Sequence, residues 1–108
     1  MQNAISLGPI GRIPKGEARA FKVDGLEIAV YHTHAGEVFA TQAVCPHKVG
    51  PLADGLIGGA TILCPLHDRL FDLRDGRNLS GDCEDLRTYK VALDAEGRIM
   101  LDLEPAAA

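Results

Sequence analysis

Tryptophan is absent and aromatic residues make up only 5% of the 108-residue chain, so the core has to be built chiefly from aliphatic side chains. Basic residues are outnumbered: eleven Lys and Arg stand against fifteen Asp and Glu, for a formal charge of -4. That balance argues against a phosphate-binding surface, and so against nucleic acid as a partner. No apolar run approaches the roughly 20 residues a membrane span needs, and Met1-Gln2-Asn3-Ala4-Ile5-Ser6 has no basic leader followed by a sustained apolar stretch. Three cysteines cannot all pair within one chain, and they form no even framework of the kind found in small secreted domains. The expectation is one globular domain over residues 1–108, in a reducing cytoplasm and without a membrane partner.

Turn formers are abundant, with twelve Gly and six Pro. They recur at short intervals, among them Asp24-Gly25, Gly50-Pro51, Gly58-Gly59, Asp75-Gly76 and Glu96-Gly97, and leave few gaps long enough for a helix. The runs between them are rich in β-branched and apolar residues: Ala18 to Val23, Leu26 to His32, Val38 to Val44, Ala60 to Leu63, Leu70 to Leu73, Arg87 to Leu93 and Arg98 to Leu103. Asp24-Gly25 is the strongest hairpin signal, and Asp94 to Gly97 closes a second. About seven or eight short strands with antiparallel pairing imply an all-β sandwich or small barrel. The long stretch without a clear strand, Cys45 to Ile57, is the place to look for function.

That stretch begins Cys45-Pro46-His47, and after a gap of sixteen residues, 48 to 63, comes Cys64-Pro65-Leu66-His67. Each pair follows an apolar run, so each should sit in a loop at a strand end. Two thiols and two imidazoles at ligand spacing point to a metal centre. A structural zinc site takes the same four donors, although the familiar zinc-finger order places both cysteines before both histidines. The alternation Cys, His, Cys, His suits a two-iron, two-sulfide cluster in which the cysteines bind one iron and the histidines the other.

The pattern resembles the Rieske family. The resemblance extends through Cys45-Pro46-His47-Lys48-Val49-Gly50-Pro51-Leu52-Ala53-Asp54-Gly55, Cys64-Pro65-Leu66-His67, Phe71-Asp72-Leu73, Gly76 and Arg87-Thr88-Tyr89 with Val91, and covers nearly the whole chain. It is similar to the small Rieske-like subunit of NAD(P)H nitrite reductase and to free-standing Rieske ferredoxins. The resemblance implies small stacked antiparallel sheets, three in number, with one cluster held at two loop tips by Cys45, His47, Cys64 and His67. It also implies that Cys45 and Cys64 hold an inner iron while His47 and His67 hold the outer one, whose imidazole edges pass the electron.

Neutral imidazoles in place of thiolates reduce the negative charge on the cluster and raise its potential. Respiratory Rieske proteins add a disulfide between the loops and hydroxyl donors beyond the second histidine. This chain has Gly50 and Leu66, and Arg69 and Phe71, at those positions. A potential in the lower part of the roughly -150 to +300 mV range is therefore expected, along with a role outside a respiratory complex. Pro46, Gly50, Pro51 and Pro65 are read as loop-shaping residues.

Without a nucleophile and base, paired carboxylates or a phosphate-cradling glycine loop, the chain is expected to move electrons between redox partner proteins and to transform no substrate alone. Three functions fit: the small subunit of an assimilatory nitrite reductase, favoured on the residues of both motifs; a ferredoxin for a ring-hydroxylating or related oxygenase; and, from another class, a zinc-bound structural module. Cys83 is expected to be a small packed side chain, and His32 and His34 solvated turn residues. The carboxylates Asp72, Asp75, Asp82, Glu84 and Asp85 are read as a solvated face able to steer a basic partner. Asp68 and Arg69 would border the exit edge beside His67.

Overall fold

The structure, a computed structural model, describes residues 4–44, 51–64, 69–80 and 84–105. Among the described residues nine strands run in chain order: β1 (Ala4–Pro9), β2 (Glu17–Val23), β3 (Leu26–His32), β4 (Val38–Gln42), β5 (Leu56–Gly58), β6 (Thr61–Leu63), β7 (Leu70–Asp72), β8 (Thr88–Leu93) and β9 (Arg98–Pro105). Among the described residues helix is confined to two 3₁₀ turns, Ile10–Arg12 and Leu52–Asp54. Among them no helix is long and apolar enough to cross a membrane.

The strands form two antiparallel sheets, one ordered β1-β9-β8-β4-β3-β2 and one ordered β5-β6-β7. The expected small stacked antiparallel sheets are present, but two of the implied three are fused. Ala40 pairs with Tyr89 and Thr41 with Thr88, and these pairs weld the β2-β3-β4 hairpins to β8 and β9. Asp24-Gly25 closes the β2–β3 hairpin with φ of 50° and 80°, the left-handed pair that a two-residue type I′ turn requires.

β3 is buried on both faces over Ile28 to His32, as its unbroken apolar run demands. Ile28 and Val30 enter one core cluster with Ile13, Val23, Ala40, Tyr89, Ile99 and Leu101. Ala29 and Tyr31 point the other way, into a second cluster with Ala43, Leu52, Ile62, Cys64, Phe71, Leu73 and Leu86. The second cluster is where the small sheet packs on the large one. Side chains the size of Leu52, Ile62 and Phe71 each contribute about 1.5–3 kcal/mol on full burial.

Two strands escape the sequence patterns. β5 is only three residues long, at the end of the stretch read as a loop and running into the Gly58-Gly59 turn signal, and β1 has a Ser-Leu-Gly-Pro ending that reads as a turn. His32 also departs from expectation: it is buried rather than solvated, and its Nδ1–H donates to the Ile13 carbonyl at 2.7 Å. The Gly16 N–H bonds the His32 carbonyl at 2.6 Å, which carries the β2–β3 pairing one residue further, whereas His34 is exposed as expected.

Candidate metal centre

Cys64 follows β6 directly, so the alternation of that strand fixes its surroundings. It is fully buried, packed among Leu52, Ile62, Phe71 and Tyr31. Its backbone N–H donates to the Arg69 carbonyl at 2.8 Å, one step beyond the Leu63–Leu70 pair of the β6–β7 ladder. Cys64 and Arg69 therefore form a hydrogen-bonded base that continues the β6–β7 ladder.

The first ligand pair has a matching base. Beyond β4, Val44 pairs with Pro51 across an isolated bridge, and the Leu52 N–H donates to the Ala43 carbonyl at 2.9 Å. Ala43 is itself held by its N–H to the Glu27 carbonyl at 3.1 Å. The Gln42 side chain locks the last step before Cys45. Its Nε2 donates to the Val44 carbonyl at 2.8 Å, and its Oε1 accepts the Arg87 N–H at 2.8 Å. Ala43 and Leu52, from the base of one segment, lie in the same apolar cluster as Cys64, from the base of the other.

Gly55 makes that convergence feasible. It follows the 3₁₀ turn at Leu52–Asp54, and a Cβ there would overlap the Leu63 carbonyl oxygen and meet Ile62 Cδ1 at 3.0 Å. The chain leaving the first ligand segment thus lies directly against the strand entering the second.

Of the four expected ligands, Cys64 is described, while Cys45, His47 and His67 lie outside the described residues, as do Cys83, Pro46, Gly50, Pro65, Asp68 and Asp82. Pro51, expected to shape a loop, is exposed and occupies the bridge opposite Val44. Arg69 is half-buried and supplies the carbonyl that closes the second base. The acidic stretch is largely turn chemistry: Asp72 pairs with Arg74 at 2.9 Å, Asp75 accepts the Arg77 N–H at 2.9 Å, and Asp85 accepts the Asn78 N–H at 2.8 Å. The Arg74 hydrogen bond holds the Asp72 carboxyl below its ordinary range.

Sequence reasoning missed a pair of buried hydroxyls. Tyr31 Oη lies 2.8 Å from Thr41 Oγ1, and Thr41 Oγ1 donates to the Gln42 carbonyl at 2.7 Å. Burial pushes the Tyr31 phenol well above its ordinary value, the Thr41 hydrogen bond opposes that shift, and the negative charge available at Cys64 adds to it. A lone Tyr in an apolar run carries no sign of such a partner. Two cysteines and two histidines are the donor set of a binuclear iron centre with mixed ligation. A buried thiol on a dry apolar floor, with both ligand segments pinned at their bases, fits that group.

The Rieske [2Fe-2S] domain family matches residues 3–90, and the chain belongs to it. The chain is 38% identical over 104 residues to the ferredoxin component of the naphthalene 1,2-dioxygenase/salicylate 5-hydroxylase systems of a Ralstonia species, covering 95% of this chain and 98% of that protein. It superposes with a TM-score of 0.83 and 28% identity on the ferredoxin of carbazole 1,9a-dioxygenase from Nocardioides aromaticivorans, covering 93% and 97% of the two chains. An NADH-dependent nitrite reductase small subunit from Mycobacterium tuberculosis shares the fold, with a TM-score of 0.85 over 97% and 96% of the chains but 21% identity. The protein is thus a one-electron carrier of the Rieske type with one two-iron, two-sulfide cluster, and the zinc reading gives way. The lean towards nitrite reductase gives way too: the ferredoxin components share sequence as well as fold, whereas this nitrite reductase subunit shares the fold.

Proposed function

We propose that the chain, as a single domain over residues 1–108 in the cytoplasm, is the ferredoxin of an oxygenase system, taking single electrons from a reductase and delivering them to a terminal oxygenase. The observation that carries this reading is the 38% identity, across 98% of its length, to a dioxygenase ferredoxin component. Cys45 and Cys64 would bind one iron and His47 and His67 the other. The cluster supplies one-electron chemistry at a potential raised by its two neutral ligands.

The rest is done by the chain itself. Tyr31, Leu52, Ile62 and Phe71 keep water from Cys64, which lowers the local dielectric and magnifies every charge near it. Gln42 fixes the peptide carbonyl before Cys45, and the Arg69 carbonyl fixes the N–H of Cys64, so the described residues flanking both proposed ligand pairs are held in place. Fixed flanks suit a carrier that must accept and release an electron quickly.

The test is reconstitution. Holoprotein is added to the reductase and oxygenase components of a naphthalene dioxygenase system with NADH and naphthalene. Restored, saturable product formation is expected. Failure there, together with stable association with a sirohaem-containing nitrite reductase subunit, would contradict the reading.

A further inference from the structure

The small sheet has one face turned to the core and one turned outward, and the outward face is apolar only at the edge beside the ligand segments. Leu56 pairs with Leu63, and Leu63 with Leu70, so their side chains share a face. Phe71 pairs with Asn78, which sets Leu79 opposite Leu70, whose carbonyl accepts the Leu79 N–H at 2.8 Å. Four leucines thus form one row across the sheet, spanning three strand spacings, or roughly 14 Å. Leu56 is 72% exposed and Leu79 47%, while Leu63 and Leu70 between them are half-buried. The next row on the same face is Gly58, Thr61 and Asp72, which is small or polar.

The row sits at the redox end of the molecule. Leu63 immediately precedes Cys64, and Leu70 immediately follows Arg69, the residue that closes the second ligand segment. Carboxylates mark both ends: exposed Asp54 lies two residues before Leu56, and exposed Asp85 accepts the N–H of Asn78 beside Leu79.

We propose that this leucine row is the docking surface for a redox partner that presents an apolar patch ringed by lysine or arginine. The inference rests on the electron-carrier reading and names the partner's surface. An apolar strip of on the order of a few hundred Å² falls short of the roughly 800 Å² per partner of a stable interface, and matches the small, short-lived contacts of electron transfer. A second copy is disfavoured by charge, because each chain carries -4 and a self-contact would set carboxylates at Asp54 and Asp85 against their own kind. A basic rim meets the same carboxylates favourably and steers the encounter.

Stopped-flow oxidation of the reduced holoprotein by mitochondrial cytochrome c, a basic haem protein, is the test. The Leu56→Ser/Leu79→Ser variant is expected to react at least fivefold more slowly, with its visible spectrum and midpoint potential unchanged. Leu93→Ser, at a leucine 40% exposed on β8, should react like the parent. The parent rate should fall as salt is raised, and Asp54→Asn/Asp85→Asn, which keeps the leucines, should flatten that dependence. Should the serine variant lose its spectrum, the asparagine variant decides. Equal rates in parent and variants, equal slowing by Leu93→Ser, or a parent dimer that the serine variant dissociates would overturn the proposal. Because the acceptor is not the oxygenase, its outcome is separate from that of the reconstitution above.

Discussion

The phenol of Tyr31 donates its proton to Thr41 Oγ1, 2.8 Å away, because the single hydroxyl proton of Thr41 is committed to the Gln42 carbonyl. The two residues sit diagonally across the β3–β4 ladder, where Tyr31 faces Phe39 and Thr41 faces Ala29, and both are fully buried. Tyr31→Phe leaves the ring packing intact and removes one buried hydrogen bond, so it should cost about 0.5–1.5 kcal/mol in equilibrium urea unfolding. Burial raises the Tyr31 pKa in the folded state. Its contribution to stability is therefore fully present below the unfolded tyrosine value of about 10 and is lost as pH rises towards the folded one. The parent should lose stability above about pH 10 more steeply than Tyr31→Phe, as followed by thermal unfolding.

The same proton assignment bears on the redox potential. Phe71 stands fully buried beside Cys64 where respiratory relatives place a hydroxyl, and the Tyr31 proton goes to Thr41 rather than to a sulfur. Voltammetry should give a midpoint below about +100 mV, in the lower part of the range for such centres. Tyr31→Phe should leave that value unchanged while lowering stability, and a potential that tracks the stability loss would count against the assignment.

Gly55 sets how closely the chain after the Leu52–Asp54 turn approaches β6. An alanine Cβ would overlap the Leu63 carbonyl oxygen and press on Leu52 O at 3.2 Å, and neither backbone atom can yield without moving a ligand segment. Gly55→Ala should cost about 1–3 kcal/mol and lower the iron retained through purification. Gly58→Ala, whose nearest neighbour is Thr61 Oγ1 at 3.5 Å, should keep its iron. Iron per chain in the two purified variants provides the comparison.

At the far end of the molecule, the Arg98 N–H and guanidinium and the Glu96 N–H hold the Asp94 carboxyl below its ordinary range. A depressed carboxylate stabilises above its unfolded pKa of about 3.9, and that contribution is lost as pH falls through the lower folded value. Asp94→Asn should therefore unfold with a shallower dependence on pH below about 4, measured by thermal melts across the acid range.

Much of this molecule is legible in its sequence. Asp24-Gly25 announces its hairpin through backbone chirality, and Leu26 to His32 is found as a strand over the same residues because seven consecutive residues between turns fit little else. Cys45, His47, Cys64 and His67 stand out as proposed ligands because metal sites need particular donors at particular spacings; of the four, Cys64 lies among the described residues. The unread parts depend on tertiary contacts. β5 is a strand through its pairing with β6, not through its own Leu-Ile-Gly, and the burial of His32 depends on a carbonyl nineteen residues away. The leucine row exists through register alone, its four members lying far enough apart in sequence to look like scattered apolar residues.

The central claim is that two thiolates and two imidazoles hold a binuclear iron centre, and chemical analysis of the freshly purified protein for iron and acid-labile sulfide tests it most directly. Two iron and two sulfide per chain are predicted, as the family's cluster requires. A colourless protein with zinc and no labile sulfide would contradict it.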